Sequence, residues 1–276
     1  MTELRQRMIR EMELRRLSPR TQKSYLNAVR GLAKFYHRSQ DTLSREEVQN
    51  YLLHLDHERK VAWNSTKVVV IGLRFFFGVT MQNHDMLLAI PSRRPQRHLP
   101  HVLSREEVMR IINSVSNLKH RILLMATYSG GLRVSEVVRL KLTDFYFSRM
   151  TIRVELGKGN KDRYTLLSRR LAEELDGYIR HRRITQWLFP SYKEGVHLSV
   201  MAAQKVYAQA RVKAQISHGS GIHTLRHCFA THLLEDGVDI ATIQKLMGHR
   251  QISTTAVYLH LTAQGLCRVD SPLDKC

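Results

Sequence analysis

Across 276 residues, 44 lysines and arginines face 24 aspartates and glutamates, and a formal net charge of +20 calls for a polyanionic partner, nucleic acid or an anionic membrane surface. No apolar run approaches the ~18 residues a membrane span needs, and the charged start MTELRQRMIREMELRR has no signal-peptide core, so the expectation is a cytoplasmic protein with no membrane partner. The three scattered cysteines, Cys228, Cys267 and Cys276, argue against a disulfide framework or a zinc knuckle, and the length suffices for two domains with separate cores.

Residues 1–85 read as a helical bundle. Ser18-Pro19 is an N-cap followed by proline at the first helical position, and Tyr25, Leu26, Val29, Leu32, Ala33, Phe35 and Tyr36 then form an apolar stripe. Ser44 with Glu47 predicts a capping box, and a fourth helix runs through Val68, Val69, Ile71, Leu73, Phe76 and Phe77. Phe75 to Phe77 are read as core residues in preference to a base-stacking platform. Residues 86–102 form a Pro/Arg-rich linker: Pro91, Pro95 and Pro100 alternate with Arg93, Arg94 and Arg97, an extended segment whose arginines suit a phosphate backbone.

Residues 103–276 form the second domain. LSREEV at 43–48 recurs at 103–108, which is the same helix-start chemistry used twice and not a duplication. An apolar helix through Ile122 to Met125 ends at Gly130-Gly131, and Arg133 opens the next helix, whose packing face is Val134, Val137, Val138 and Leu140. Residues 151–167 alternate around GKGN as a β-hairpin, while the spacing of a phosphate-binding nucleotide loop is absent. A basic helix from Ser199 to Ala214 carries Lys205, Arg211 and Lys213, candidates for DNA contact. The fold class is therefore mainly α with a small β-hairpin or sheet.

The stretch GIHTLRHCFATHLLEDGVDIATIQKLMGHRQISTTAVY, from Gly221 to Tyr258, organises the second domain. Glycine and capping residues divide it into three short helices: about Thr224 to Asp236, one between Asp239 and Gly248, and one opened by Ser253 that holds Tyr258. Their tight turns allow His223, Arg226, His249 and Tyr258 to converge. A guanidinium fits phosphate bidentately, imidazoles exchange protons, and a deprotonated phenol is a nucleophile, a set suited to phosphoryl transfer through a covalent intermediate. His223 and His227 also stand four apart as in zinc hydrolases, but HTLRH lacks the glutamate of HExxH.

The HTLRH run, the GH dipeptide and the tyrosine nine residues after that histidine resemble the tyrosine recombinases, which include Xer-type recombinases and phage-type integrases. YSGGLRVSEVVRL around Arg133 and ELGKGNKDRYTLL around Lys158 extend the resemblance in the same order. It implies an N-terminal helical core-binding domain and a C-terminal catalytic domain. Tyr258 would attack DNA to give a 3′-phosphotyrosine, Arg133 and Arg226 would hold the phosphate, His223 and His249 would handle protons, and Lys158 would protonate the leaving oxygen. Glu136 would orient Arg133. No nucleotide cofactor or metal is implied. The implied partners are double-stranded DNA, further copies of the chain in a tetramer on two sites, and a helper recombinase or accessory protein. A nicking-closing enzyme of topoisomerase type and a catalytically silent DNA-binding accessory factor are the competing readings.

Overall fold

The computed structural model describes residues 2–61, 63–90, 101–155, 162–181, 184, 186–249 and 251–261. The chain divides into two units, Met1–Arg97 and His98–Cys276. The expected roles of Arg93, Arg94, Arg97 and Lys158 lie outside the described residues.

In the first unit, α1 (Glu3–Leu14), α2 (Pro19–Tyr36), α3 (Arg45–His57), α4 (Trp63–Phe75) and α5 (His84–Ala89) enclose a core of Met8, Met12, Leu32, Val48, Leu73, Phe76 and Phe77. Caps set the helix starts. Ser18 Oγ accepts from the Thr21 amide at 3.2 Å, and Ser44 and Glu47 form a reciprocal box at 3.2 and 2.7 Å. Past Phe75 the helix widens into a π-turn over Phe76–Thr80, which rotates both phenylalanines inward, edge to face at 5.1 Å. Val68 and Ile71, expected on the packing face, are largely exposed, and Val70 takes the core position. The linker expected from residue 86 also begins later: Asn83 caps α5, and Met86 and Ile90 are buried in this core.

In the second unit, α6 (Arg105–Asn113), α7 (Leu118–Ser129), α9 (Arg169–His181), α10 (Val200–Lys213) and α11 (His223–Glu235) surround one core. α8 (Val134–Val137) is a single turn, and α12 (Ile240–Met247) and α13 (Ile252–Ala256) complete the helices. A three-stranded antiparallel sheet runs β1 (Phe145–Tyr146), β2 (Thr151–Val154), β3 (Arg163–Leu166). β1 is an element that two residues cannot announce in a sequence. The register pairs Val154 with Arg163 and Ile152 with Thr165, so the inward face of β3 is polar. Tyr164 and Leu166, the apolar positions of the alternating 151–167 pattern on this strand, are exposed. Thr165 satisfies its buried hydroxyl on the Gly130 carbonyl at 2.8 Å. Among the described residues no helix is long and apolar enough to cross a membrane.

Candidate active site

The turn after α7 aims the first arginine. Gly131 has φ +57°, and an added Cβ would lie 2.3 Å from the ring of Phe229, so only glycine passes here. Arg133 then stands at the N-cap of α8 in extended conformation. Glu136 accepts from the Arg133 amide at 2.8 Å and from its guanidinium at 2.7 Å, which fixes that side chain at both ends.

Glu136 is itself held from β3. Arg163 donates Nη1 and Nη2 to the two carboxylate oxygens at 2.9 and 2.7 Å and Nε to the Leu246 carbonyl at 2.9 Å. Burial alone would raise the Glu136 carboxyl, but the Arg163 fork and the Arg133 bonds prevail and hold it down at about 2. Arg163 carried no signal in the alternation of the hairpin, because a charged residue on an inward strand position reads as a solvated one.

Arg226 lies on the first turn of α11 and is 4% exposed. Its Nη1 donates to the Gly131 carbonyl, and Nη2 donates to the Met247 carbonyl at 2.6 Å and to His249 Nε2 at 3.1 Å. Nη1 is also 3.8 Å from Glu136. Burial and the neighbouring Arg133 push its pKa down to about 9, so it remains a cation at neutral pH. Three guanidiniums around one carboxylate leave positive charge unmatched, as an anion site requires.

Asp239 caps α12 through the Thr242 amide at 2.9 Å, and Gly248 ends it at φ +63°, presenting His249 to Arg226. Since a guanidinium only donates, His249 Nε2 accepts and Nδ1 carries the proton to Thr255 Oγ1, 2.9 Å away. Burial, then Arg226 and Arg133, push this imidazole down to about 4, so it is neutral at pH 7.

Tyr258 lies in a 3-10 turn, Val257–Leu261, that follows α13; the helix opens at Ile252 after Gln251, not at Ser253. The phenol is 4% exposed, its hydroxyl 2.9 Å from His227 Nδ1. Burial pushes the phenol up to about 12 and, with His223 and Arg226 adding, pushes His227 down to about 4. His227 entered the sequence reading only through its spacing from His223; its tie to the phenol depends on how the 3-10 turn falls against α11.

The structure therefore brings Arg133, Glu136, Arg226 and His249 together through hydrogen bonds and the Glu136–Arg226 ion pair, with Tyr258 joined to α11 through His227, the neighbour of Arg226. His223 stands exposed at the start of α11, its imidazole lowered by partial burial, Arg226 and Arg133. Lys205 and Lys213 are exposed on α10, whereas Arg211 is turned to the Ser217 and His218 carbonyls and braces a loop.

The sequence matches the phage integrase family over residues 101–264 and the N-terminal SAM-like domain of phage integrases over residues 4–84. The y4qK protein of Sinorhizobium fredii, of the integrase/recombinase class, is 42% identical over 277 residues, covering 99% of this chain and 89% of that protein. Tyrosine recombinase XerD of Listeria monocytogenes is 31% identical, covering 87% and 84%. Among solved structures, XerA recombinase is 26% identical with a TM-score of 0.57, covering 98% and 99%. The Tn1549 transposon integrase in complex with transposon right end DNA shares the fold at 16% identity, TM-score 0.73, over 99% and 96% of the two chains. With both halves matched and a relative this similar along nearly its whole length, the chain belongs to the phage integrase family of tyrosine recombinases, enzymes that break and rejoin DNA strands.

Proposed function

We propose that the chain is a site-specific recombinase acting on double-stranded DNA through a 3′-phosphotyrosine at Tyr258. The observation that carries this reading is the convergence on one cationic pocket of Arg226 with His249 and Glu136, and of Tyr258 with the residue next to Arg226. The phenol oxygen attacks the scissile phosphorus and the 5′-oxygen leaves as a hydroxyl. A 5′-hydroxyl of the partner duplex then attacks the phosphotyrosine and releases the phenol. One phosphodiester replaces another at each step, so the bond energy is conserved and no ATP is consumed.

Arg133 and Arg226 bind the non-bridging oxygens and neutralise the charge added in the transition state, where a preorganised guanidinium is worth far more than in water. Arg226 meets this duty with its backbone partners already made, so little reorganisation is required of it. His223, on the solvent side of the site, exchanges hydrogen bonds with the bound phosphate, and His249, on the Arg226 side, holds that guanidinium in place. Lys158 protonates the leaving 5′-oxygen. Two duplexes cut at two strands each require four active sites, hence a tetramer on DNA, and closed head-to-tail contacts would build it. Both units bind the duplex, the first through its helical bundle and the 86–102 segment with Arg93, Arg94 and Arg97, the second through its pocket and Lys205 and Lys213.

The test is a duplex nicked next to the cleavage position, so that the short 5′-hydroxyl fragment diffuses away and the covalent complex accumulates. The wild-type chain should form a denaturant-resistant complex in EDTA without ATP, and Tyr258→Phe should bind equally and form none. A requirement for ATP or for a divalent cation, or an undiminished complex from Tyr258→Phe, would contradict the reading.

A further inference from the structure

The phenol hydroxyl of Tyr258 must lose its proton as the oxygen attacks, and the phenol is too buried to give it to bulk water. Of the histidines of this region, His249 has no lone pair to offer: Nε2 accepts from Arg226 and Nδ1 donates to Thr255. His232, elsewhere on α11, is spent in the same way between the Tyr128 hydroxyl at 2.8 Å and the Leu103 carbonyl at 3.0 Å. His227 is different. Its Nδ1 is 2.9 Å from the phenol oxygen, the two rings are tilted by 48° with centroids 5.8 Å apart, and in the tautomer protonated at Nε2 the Nδ1 lone pair accepts the phenol proton. That distance is within the reach a general base needs.

We propose that His227 is a catalytic residue, the base that takes the Tyr258 proton during cleavage and returns it during rejoining. The inference rests on Tyr258 being the nucleophile. In cleavage the phenolic O–H bond breaks, the proton passes to His227 Nδ1, the phenol oxygen bonds to phosphorus, and the bond from phosphorus to the 5′-oxygen breaks, that oxygen leaving with a proton from Lys158. In rejoining a 5′-hydroxyl returns its proton to Lys158 as its oxygen bonds to phosphorus, the phosphorus–phenol bond breaks, and the His227 imidazolium protonates the departing phenol.

The charges around the pair make this transfer depend on substrate. His227 faces Arg226 and His223 from its own helix, Tyr258 from the 3-10 turn and His249 from the corner after α12; Arg133, at the start of α8, acts on the phenol. Without DNA, burial together with His223 and Arg226 holds the imidazole at about 4 while burial holds the phenol up at about 12, so the proton stays on oxygen. A phosphate seated against Arg226 and Arg133 supplies negative charge that offsets the guanidinium acting on His227, and its basicity rises when there is something to attack.

His227→Gln tests the inference, since glutamine accepts a hydrogen bond but takes no proton. In the intact chain on the nicked duplex, the variant should bind DNA as wild type does and form the Tyr258 adduct about 10²–10⁴-fold more slowly at pH 7.5. Installing 3-fluorotyrosine at position 258 makes the phenol more acidic; it should recover part of the lost rate in His227→Gln and change the wild-type rate little. An adduct rate in His227→Gln equal to or above wild type would overturn the inference and leave His227 as a restraint on the phenol. A loss that fluorination does not relieve would overturn it too, making the role one of placement. An adduct absent from Tyr258 in the wild-type chain would instead remove the nucleophile reading on which it stands.

Discussion

Arg163 grips Glu136 with both arms of its guanidinium, at 2.9 and 2.7 Å, on a strand face where the opposite residue is the buried Val154. Glu136 in turn fixes Arg133, and Arg163 Nε bonds the last turn of α12, from which Gly248 delivers His249. One arginine on the hairpin thus ties together the segments that carry Arg133 and His249. Replacing glycine at 248 would place a Cβ 2.7 Å from the Arg163 side chain, which shows how closely that tie is packed.

Arg163→Ala should therefore destabilise the second unit and disable the site together. Removing one partner of a buried ion pair costs about 3–5 kcal/mol, and the lower end applies because Arg133 still neutralises Glu136. Arg163→Lys should fall between, since an ammonium keeps the charge and loses the fork. Denaturation midpoints and adduct rates, measured on the same preparations, check this; a fully stable and fully active Arg163→Ala contradicts it.

Stability should fall with acid in two stages. His227 and His249 are held at about 4, below the ordinary ~6.5, mainly by burial, so the unfolded chain takes protons first and stability is lost as pH falls from about 6.5 to 4. Glu136, held at about 2, adds stability that is complete above about 4.5 and is lost as pH falls toward 2. Of the two tryptophans, Trp187 reports on the second unit once Trp63→Phe silences the first. His249→Asn should flatten the fluorescence-detected stability curve between pH 6.5 and 4 and leave the lower stage in place. An unchanged curve would show that His249 does not titrate as described.

Two glycines predict opposite outcomes. Gly131→Ala forces a Cβ into Phe229 at a positive φ and displaces the carbonyl that Arg226 uses, so several kcal/mol of stability and most of the activity should go. Gly177→Ala, on α9 with open space around the new Cβ, should stabilise by roughly 0.5–1 kcal/mol. Thermal melts of both variants check the pair; a destabilised Gly177→Ala or a tolerated Gly131→Ala contradicts the packing described.

Much of this was legible in sequence because it depends on local chemistry. The Ser44–Glu47 and Ser104–Glu107 boxes, the Asp239 cap and the Gly248 stop each need only a few consecutive residues, and all are formed. What escaped depends on tertiary register. Arg163 became an inward residue through strand pairing with Val154, and His227 met Tyr258 because α13 gives way to a 3-10 turn. The π-turn at Phe76 likewise follows from packing both rings into one core, which periodicity at 3.6 residues does not anticipate.

Lys161 lies three residues beyond Lys158 in the same ELGKGNKDRYTLL segment and competes with it for the role of general acid; chemistry separates the two. An alkoxide is a poor leaving group because its conjugate acid has a pKa near that of water, about 15.7, whereas a thiol, at about 8.5, leaves unaided. With sulfur in place of the bridging 5′-oxygen, Lys158→Ala should approach the wild-type cleavage rate after being slow on ordinary DNA. Arg226→Ala should gain much less, since in the proposed mechanism its charge acts on the non-bridging oxygens. Rescue of Lys161→Ala and not of Lys158→Ala would move the general acid to Lys161.

The most direct test of the whole account is the position of the covalent bond. The complex trapped on a nicked duplex is digested with nuclease and protease, and the nucleotide-bearing peptide is sequenced by mass spectrometry. The account predicts one modified residue, Tyr258, carrying a 3′-linked nucleotide. A nucleotide on any other residue, or a 5′-linkage on Tyr258, contradicts it.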